Sequence, residues 1–214
     1  VAPPAPSPVT LQFADVTAAA GVVFRHEAGA TGKKWYPETM GAGGGFFDYD
    51  GDGWLDILLV NGRQWPGERQ ESEPTMRLYR NQGNATFVDV TQRAGLAIPL
   101  YGMGLVVADY DNNGTQDLLI TGYRETQLLR NEGNGTFTDV TTQASIIQGN
   151  WDTAAVFVDV DRDGFDDVHG ERRFAHGRPS GEDHQFAVVQ AAGLHVQIAI
   201  AVIAAAGRVR AHAH

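Results

Sequence analysis

The 214-residue sequence predicts an all-β fold: a partial β-propeller of about two and a half four-stranded blades, followed by a non-repeat tail. Three recurring phrases carry that prediction. F-x-D-V-T stands at 13–17, 87–91 and 137–141, and R-N-x-G-N-x-T-F at 80–87 and 130–137. An Asp-rich phrase recurs as DYDGDGWLD (48–56), DYDNNGTQD (109–117) and DVDRDGFDD (159–167). The order is constant: acidic loop, apolar strand, R-N-x-G-N, F-x-D-V-T. A self-similar unit of this size, cut into short apolar runs by turn residues, is the signature of a propeller blade.

In the first copy, Gly43–Asp50 is expected as one strand, Leu55–Asn61 as the next, Met76–Asn81 as the third and Thr86–Thr91 as the fourth. Gln82-Gly83-Asn84-Ala85 supplies the last hairpin, with Gly83 and Asn84 suited to positive φ. The blades then span about 43–91 and 102–141, with a truncated third at about 152–168. The isolated copy at 13–17 fits an outer strand whose blade takes its other strands from the far end of the chain, closing the ring. Residues 1–12 are a flexible Pro/Ala-rich leader, consistent with what signal cleavage leaves behind.

The acidic loops have metal-ligand spacing. Counted from its first Asp, each loop has carboxylates or an amide at positions 1, 3, 5 and 9 and Gly at position 6. Alternate positions on a turning loop converge on one hard cation, and the glycine permits the bend that brings in the position-7 carbonyl. The expected ligands are Asp48, Asp50, Asp52, the carbonyl of Trp54 and Asp56 in loop one. Loop two offers Asp109, Asp111, Asn113, the carbonyl of Thr115 and Asp117; loop three offers Asp159, Asp161, Asp163, the carbonyl of Phe165 and Asp167. An all-oxygen anionic set selects Ca²⁺ over Zn²⁺ or a redox metal. An EF-hand is excluded, because position 12 holds Leu59, Ile120 and Gly170 rather than Glu, and the flanking runs have strand character. Loop two carries three carboxylates against four in the others, so it is expected to empty first on chelation.

With that spacing established, the phrases resemble FG-GAP/VCBS repeats, the calcium-binding blades also found in integrin α-subunit propellers. WYPETMGAGGGFFDYDGDGWLDILLVNG (35–62), LYRNQGNATFVDVTQRAGL (78–96) and YGMGLVVADYDNNGTQDLLITG (101–122) are more specifically similar to the cartilage acidic protein/ASPIC–UnbV group. The resemblance covers residues 13–168. It implies an exported, Ca²⁺-stabilised propeller, secreted, periplasmic or at the cell surface, that binds or adheres to a protein or glycan and has no catalytic residues. Family members carry enough repeats to close a ring, so this chain is expected to be part of a larger propeller.

Composition narrows the alternatives. A formal net charge of −10 and the lack of a basic stripe argue against nucleic acid as a partner. No apolar run reaches the roughly 20 residues that span a bilayer. With no Cys, disulfides and thiolate chemistry are excluded. GAGGG (41–45) lacks the Lys-Ser/Thr of a phosphate loop and leads into a strand, so a close backbone approach is the better reading. Ser7, Ser72, Ser145 and Ser180 lie in no nucleophile motif. His26 and Glu38, between F-A-D-V-T and the first acidic loop, are an acid/base candidate pair. They support a runner-up reading, a propeller-type polysaccharide hydrolase or lyase module. Trp35 and Tyr36 are expected to pack on the propeller face or to meet a ligand.

Residues 169–214 hold six of the seven histidines and no repeat phrase. Two readings stand: a change of reading frame after Val168, or an independent Ala/His-rich extension, disordered or partly helical around 190–206. His184, His195, His212 and His214 are too irregularly spaced to suggest a metal site.

Overall fold

The computed structural model describes residues 13–65, 75–146, 151–158 and 167–168. The leader, the tail and loop-three residues Asp159, Asp161, Asp163 and Phe165 lie outside them, as does the side chain of Asp167.

Turn chemistry cuts the chain into short strands that form two antiparallel four-stranded sheets. The first contains β1 (Gly44–Phe47), β2 (Asp56–Leu59), β3 (Arg77–Asn81) and β4 (Phe87–Asp89), in sequence order. The second contains β5 (Gly102–Ala108), β6 (Asp117–Gly122), β7 (Gln127–Asn131) and β8 (Phe137–Asp139), again in order. A third begins with β9 (Phe157–Val158) paired to β10 (Asp167–Val168). A single 3-10 turn, Tyr36–Thr39, is the only helical element among the described residues. Sequential antiparallel sheets of this kind are propeller blades.

Register repeats with the sequence. The residue before each first Asp pairs with the ninth loop residue: Phe47 with Asp56, Ala108 with Asp117, Val158 with Asp167. All three acidic loops therefore start and close at the same rung. The strand expected over Gly43–Asp50 stops at Phe47, because the Asp48 carboxylate accepts the N–H groups of Gly51, Asp52 and Gly53 and turns the chain. The hairpin also differs in detail: Gly83 and Ala85, not Asn84, take positive φ, at 71° and 65°. Asn84 instead accepts from the N–H and hydroxyl of Thr86.

The core lies between blades. Leu58, Leu78, Val90 and Leu96 of the first pack with Leu118, Ile120, Leu129 and Phe137 of the second. Alternation sends Leu119, Leu128 and Val140 to the other face, toward Ala155 and Phe157 of the third. Every residue of β6 is buried, as two-sided packing requires. In β2, by contrast, Ile57 and Leu59 are only partly covered, and neighbouring Phe46 is 68% exposed. One face of the first blade is thus open among the described residues.

Glycine lets the inner strands meet. Gly43 N–H donates to Met103 O at 2.8 Å, and a Cβ on Gly43 would sit 3.2 Å from that same oxygen. The close approach expected of the GAGGG run is thereby located between blades. The turn over residues 17–21 docks on β4, with Phe87 N–H donating to Ala20 O at 2.7 Å. The turn at 91–95 docks on β8 likewise, Phe137 N–H donating to Ala94 O at 2.9 Å. The ring-closing strand expected at 13–17 has no partner strand among the described residues, and Phe13 and Val16 are 97% and 60% exposed.

Candidate metal centre

Loops one and two adopt one geometry. Asp48 accepts from Gly51 N–H (2.9 Å), Asp52 N–H (3.1 Å) and Gly53 N–H (2.8 Å). Asp109 accepts from Asn113 N–H (2.9 Å) and Gly114 N–H (2.8 Å). Position 6 needs glycine: Gly53 and Gly114 have φ of 86° and 88°, where a Cβ is strained. Position 4 turns the same way, with Gly51 at 74° and Asn112 at 53°. Asn is the side chain best able to follow Gly there, a signal present in the sequence but visible only once the loops are superposed.

Asp48, Asp50 and Asp56 bring one carboxylate oxygen each within 4.8 Å of one another, and Asp109, Asp111 and Asp117 do the same. Positions 1, 3 and 9 therefore converge in both loops. At position 5, Asp52 is not one of the three in loop one. Asp52 accepts from Trp54 N–H at 2.9 Å and from Arg80 Nη2 at 2.7 Å, and Asn113 Oδ1 accepts from Thr115 N–H at 2.8 Å. Each makes a local turn, the alternative that short polar side chains offer the backbone.

Position 9 has a second duty that spacing alone does not reveal. Asp56 is fully buried; its carboxylate accepts from Tyr49 N–H at 3.0 Å and Asn81 N–H at 2.7 Å. Asp117 repeats this with Tyr110 N–H at 3.0 Å and Asn131 N–H at 2.7 Å. Both carboxyls clamp the loop start to the third strand. Burial pushes Asp56 above its ordinary value, against the pull of its two N–H donors. In Asp117 burial dominates again and, with Asp111 and Asp109 nearby, raises the carboxyl to about 7.

The residues fit a hard cation. All donors are carboxylate oxygens, and although Asp50 Oδ2 is met by Arg80, its Oδ1 is buried with no hydrogen-bond partner and is left as an open acceptor toward the triad. The loops are also linked: Asp48 N–H donates to Gln116 Oε1 of loop two at 3.2 Å.

His26 Nε2 accepts from Ala42 N–H at 3.3 Å, and Glu38 accepts from the Thr31 hydroxyl at 2.6 Å. Away from the acidic loops, at the ends of the sheets where β5 begins and β6 stops, aromatic rings meet in a chain. Trp35 stacks on Trp65 (6.1 Å, 8°), Trp65 meets Tyr101 and Tyr123, and Tyr123 meets Trp151, which takes Tyr36 edge-on at 5.4 Å. Trp35 and Tyr36 remain 47% and 65% exposed, so they both pack and present ring surface.

Antiparallel four-stranded blades joined through convergent acidic loops define a propeller-repeat protein. Comparison with known families agrees: the FG-GAP-like repeat matches residues 48–120 and 109–169, and the chain belongs to that family. No curated protein matches it significantly. Among the described residues, no helix is long and apolar enough to cross a membrane.

Proposed function

We propose that this chain is a calcium-binding propeller scaffold, exported to the cell exterior or periplasm, that binds or adheres to a protein or glycan and performs no catalysis. The observation that carries the calcium reading is the paired triad: Asp48/Asp50/Asp56 and Asp109/Asp111/Asp117 converge at the same loop positions in successive blades. The three longer phrases at 35–62, 78–96 and 101–122 support a place in the cartilage acidic protein/ASPIC–UnbV group. Bound there, Ca²⁺ supplies a fixed positive charge; the chain supplies the oxygens and the backbone turns that hold them. The exposed rings of Trp35 and Tyr36 favour a ligand at the aromatic end, since amphipathic aromatic surface is what recognition sites enrich.

Thermal melting with and without Ca²⁺ tests the proposal. A cation that binds only the folded state at a hundredfold excess over its Kd adds about 2.7 kcal/mol per site, which raises Tm by several degrees. An unchanged midpoint at millimolar Ca²⁺ sinks the calcium reading.

A further inference from the structure

We propose that Arg80 is an internal counter-ion that competes with the cation at loop one and sets its affinity, an inference that rests on the calcium reading of that loop. Arg80 Nε donates to Asp50 Oδ2 at 2.6 Å and Nη2 to Asp52 Oδ2 at 2.7 Å. Asp52 gives its other oxygen to Trp54 N–H at 2.9 Å, so both its oxygens are engaged and it stands outside the triad. Asp50 is shared: Oδ2 faces the guanidinium while Oδ1 is buried without a partner.

Loop two provides an internal control. Arg130 occupies the same place in the repeat, yet it donates to Glu132 Oε1 at 2.8 Å and 3.2 Å. The first blade has Gln82 where the second has Glu132, so no acid at that position draws Arg80 away. The consequence is in the charge. In formal charge, loop one has four carboxylates and one guanidinium, a net of −3; loop two has three carboxylates and an arginine matched by Glu132, also −3. The ranking expected from carboxylate count alone therefore disappears.

A divalent ion entering loop one meets a like charge on Asp50 and finds the position-5 carboxylate already taken. Removing Arg80 lifts the repulsion and frees Asp52 as a fourth donor. A guanidinium that served only to aim Asp50 would have no cause to hold Asp52 as well.

The test is Ca²⁺ titration calorimetry on the full chain, with loops two and three disabled by Asp109→Asn and Asp159→Asn so that only loop one reports. Arg80→Gln, which removes the charge and leaves a shorter neutral amide, should tighten Ca²⁺ on the order of tenfold, as expected for one unit charge a few ångströms from the ion. The reciprocal variant, Glu132→Gln with loops one and three disabled by Asp48→Asn and Asp159→Asn, releases Arg130 toward Asp111 and should weaken loop two by a similar factor; it also covers the case in which Arg80→Gln fails to fold. Ca²⁺ binding that is unchanged or weakened by Arg80→Gln overturns the role of Arg80 and leaves the calcium reading standing. No binding to either the Asp109→Asn/Asp159→Asn protein or its Arg80→Gln derivative overturns both.

Discussion

Asn131 Nδ2 donates to the backbone oxygen of Tyr49 at 2.8 Å, tying the third strand of one blade to the acidic loop of the blade before it. The same amide donates to Gln116 O at 3.1 Å and its Oδ1 accepts from Gly133 N–H at 3.0 Å. Asn81, its counterpart, donates to Leu55 O at 2.9 Å and accepts from Gly83 N–H, and both of those bonds stay within its own blade. Asn131→Ala leaves Tyr49 O of the neighbouring blade and Gln116 O of its own without their donor and should cost roughly 1–3 kcal/mol, whereas Asn81→Ala, at a more exposed site, should cost distinctly less. Urea unfolding midpoints of the two variants check this; equal losses would show that the interblade bond adds nothing.

The hairpins offer an internal comparison of backbone strain. Ala85 holds φ at 65° in the first blade where Gly135 holds 83° in the second. A left-handed conformation costs a Cβ-bearing residue about 1–2 kcal/mol, and glycine does not incur it. Ala85→Gly should therefore stabilise the chain by about 1 kcal/mol and Gly135→Ala should destabilise it by a similar amount. Midpoints that move the opposite way would contradict the assigned turn.

These two sites also show what could be read from residues alone. Loop ends were legible because turn chemistry is local: Gly53 and Gly114 stand where the chain must bend, and an apolar strand follows at once. Ala85 was harder, since Asn84 beside it is the better left-handed former and only the geometry reveals that its side chain is spent on Thr86. The spacing of Asp56 and Asp117 marks them as candidate ligands but not as clamps on Asn81 and Asn131, because that role needs the β2–β3 and β6–β7 pairings. Arg80 carried a faint signal, its recurrence as Arg130, which did not say which acid each would choose. The aromatic end was least legible. Its rings come from positions 35, 36, 65, 101, 123 and 151, and only the packing of blades brings them together.

Asp152 provides a pH test at a site outside the acidic loops. Its carboxyl is buried, accepts from the Thr126 hydroxyl at 2.5 Å and is pushed above its ordinary value of 3.8 mainly by burial, with the Thr126 bond pulling the other way. A carboxyl that holds its proton more firmly folded than unfolded adds stability below its unfolded value and loses that contribution as pH rises through the folded one. Asp152→Asn removes the titration. Its Tm relative to the parent should therefore climb steadily as pH is raised from 3.8. Parallel Tm curves for parent and variant would rule the buried carboxyl out as a source of the slope.

Clamping and cation binding separate at positions 3 and 9 of loop two. Asp111 belongs to the triad and accepts a 3.3 Å bond from Asn113 N–H in an exposed turn. Asp117 belongs to the same triad and also satisfies two N–H groups from full burial. Asp111→Ala should remove the loop-two share of the Ca²⁺-induced rise in Tm while leaving the chelated protein nearly as stable as the parent. Asp117→Ala should remove that share and also cost the chelated protein about 2–4 kcal/mol, because two N–H groups lose their acceptor. Melting each variant in chelator and in Ca²⁺ resolves the two effects. If both variants melt alike in chelator, the clamp is not what holds the loop, and the ninth carboxylate is a ligand alone.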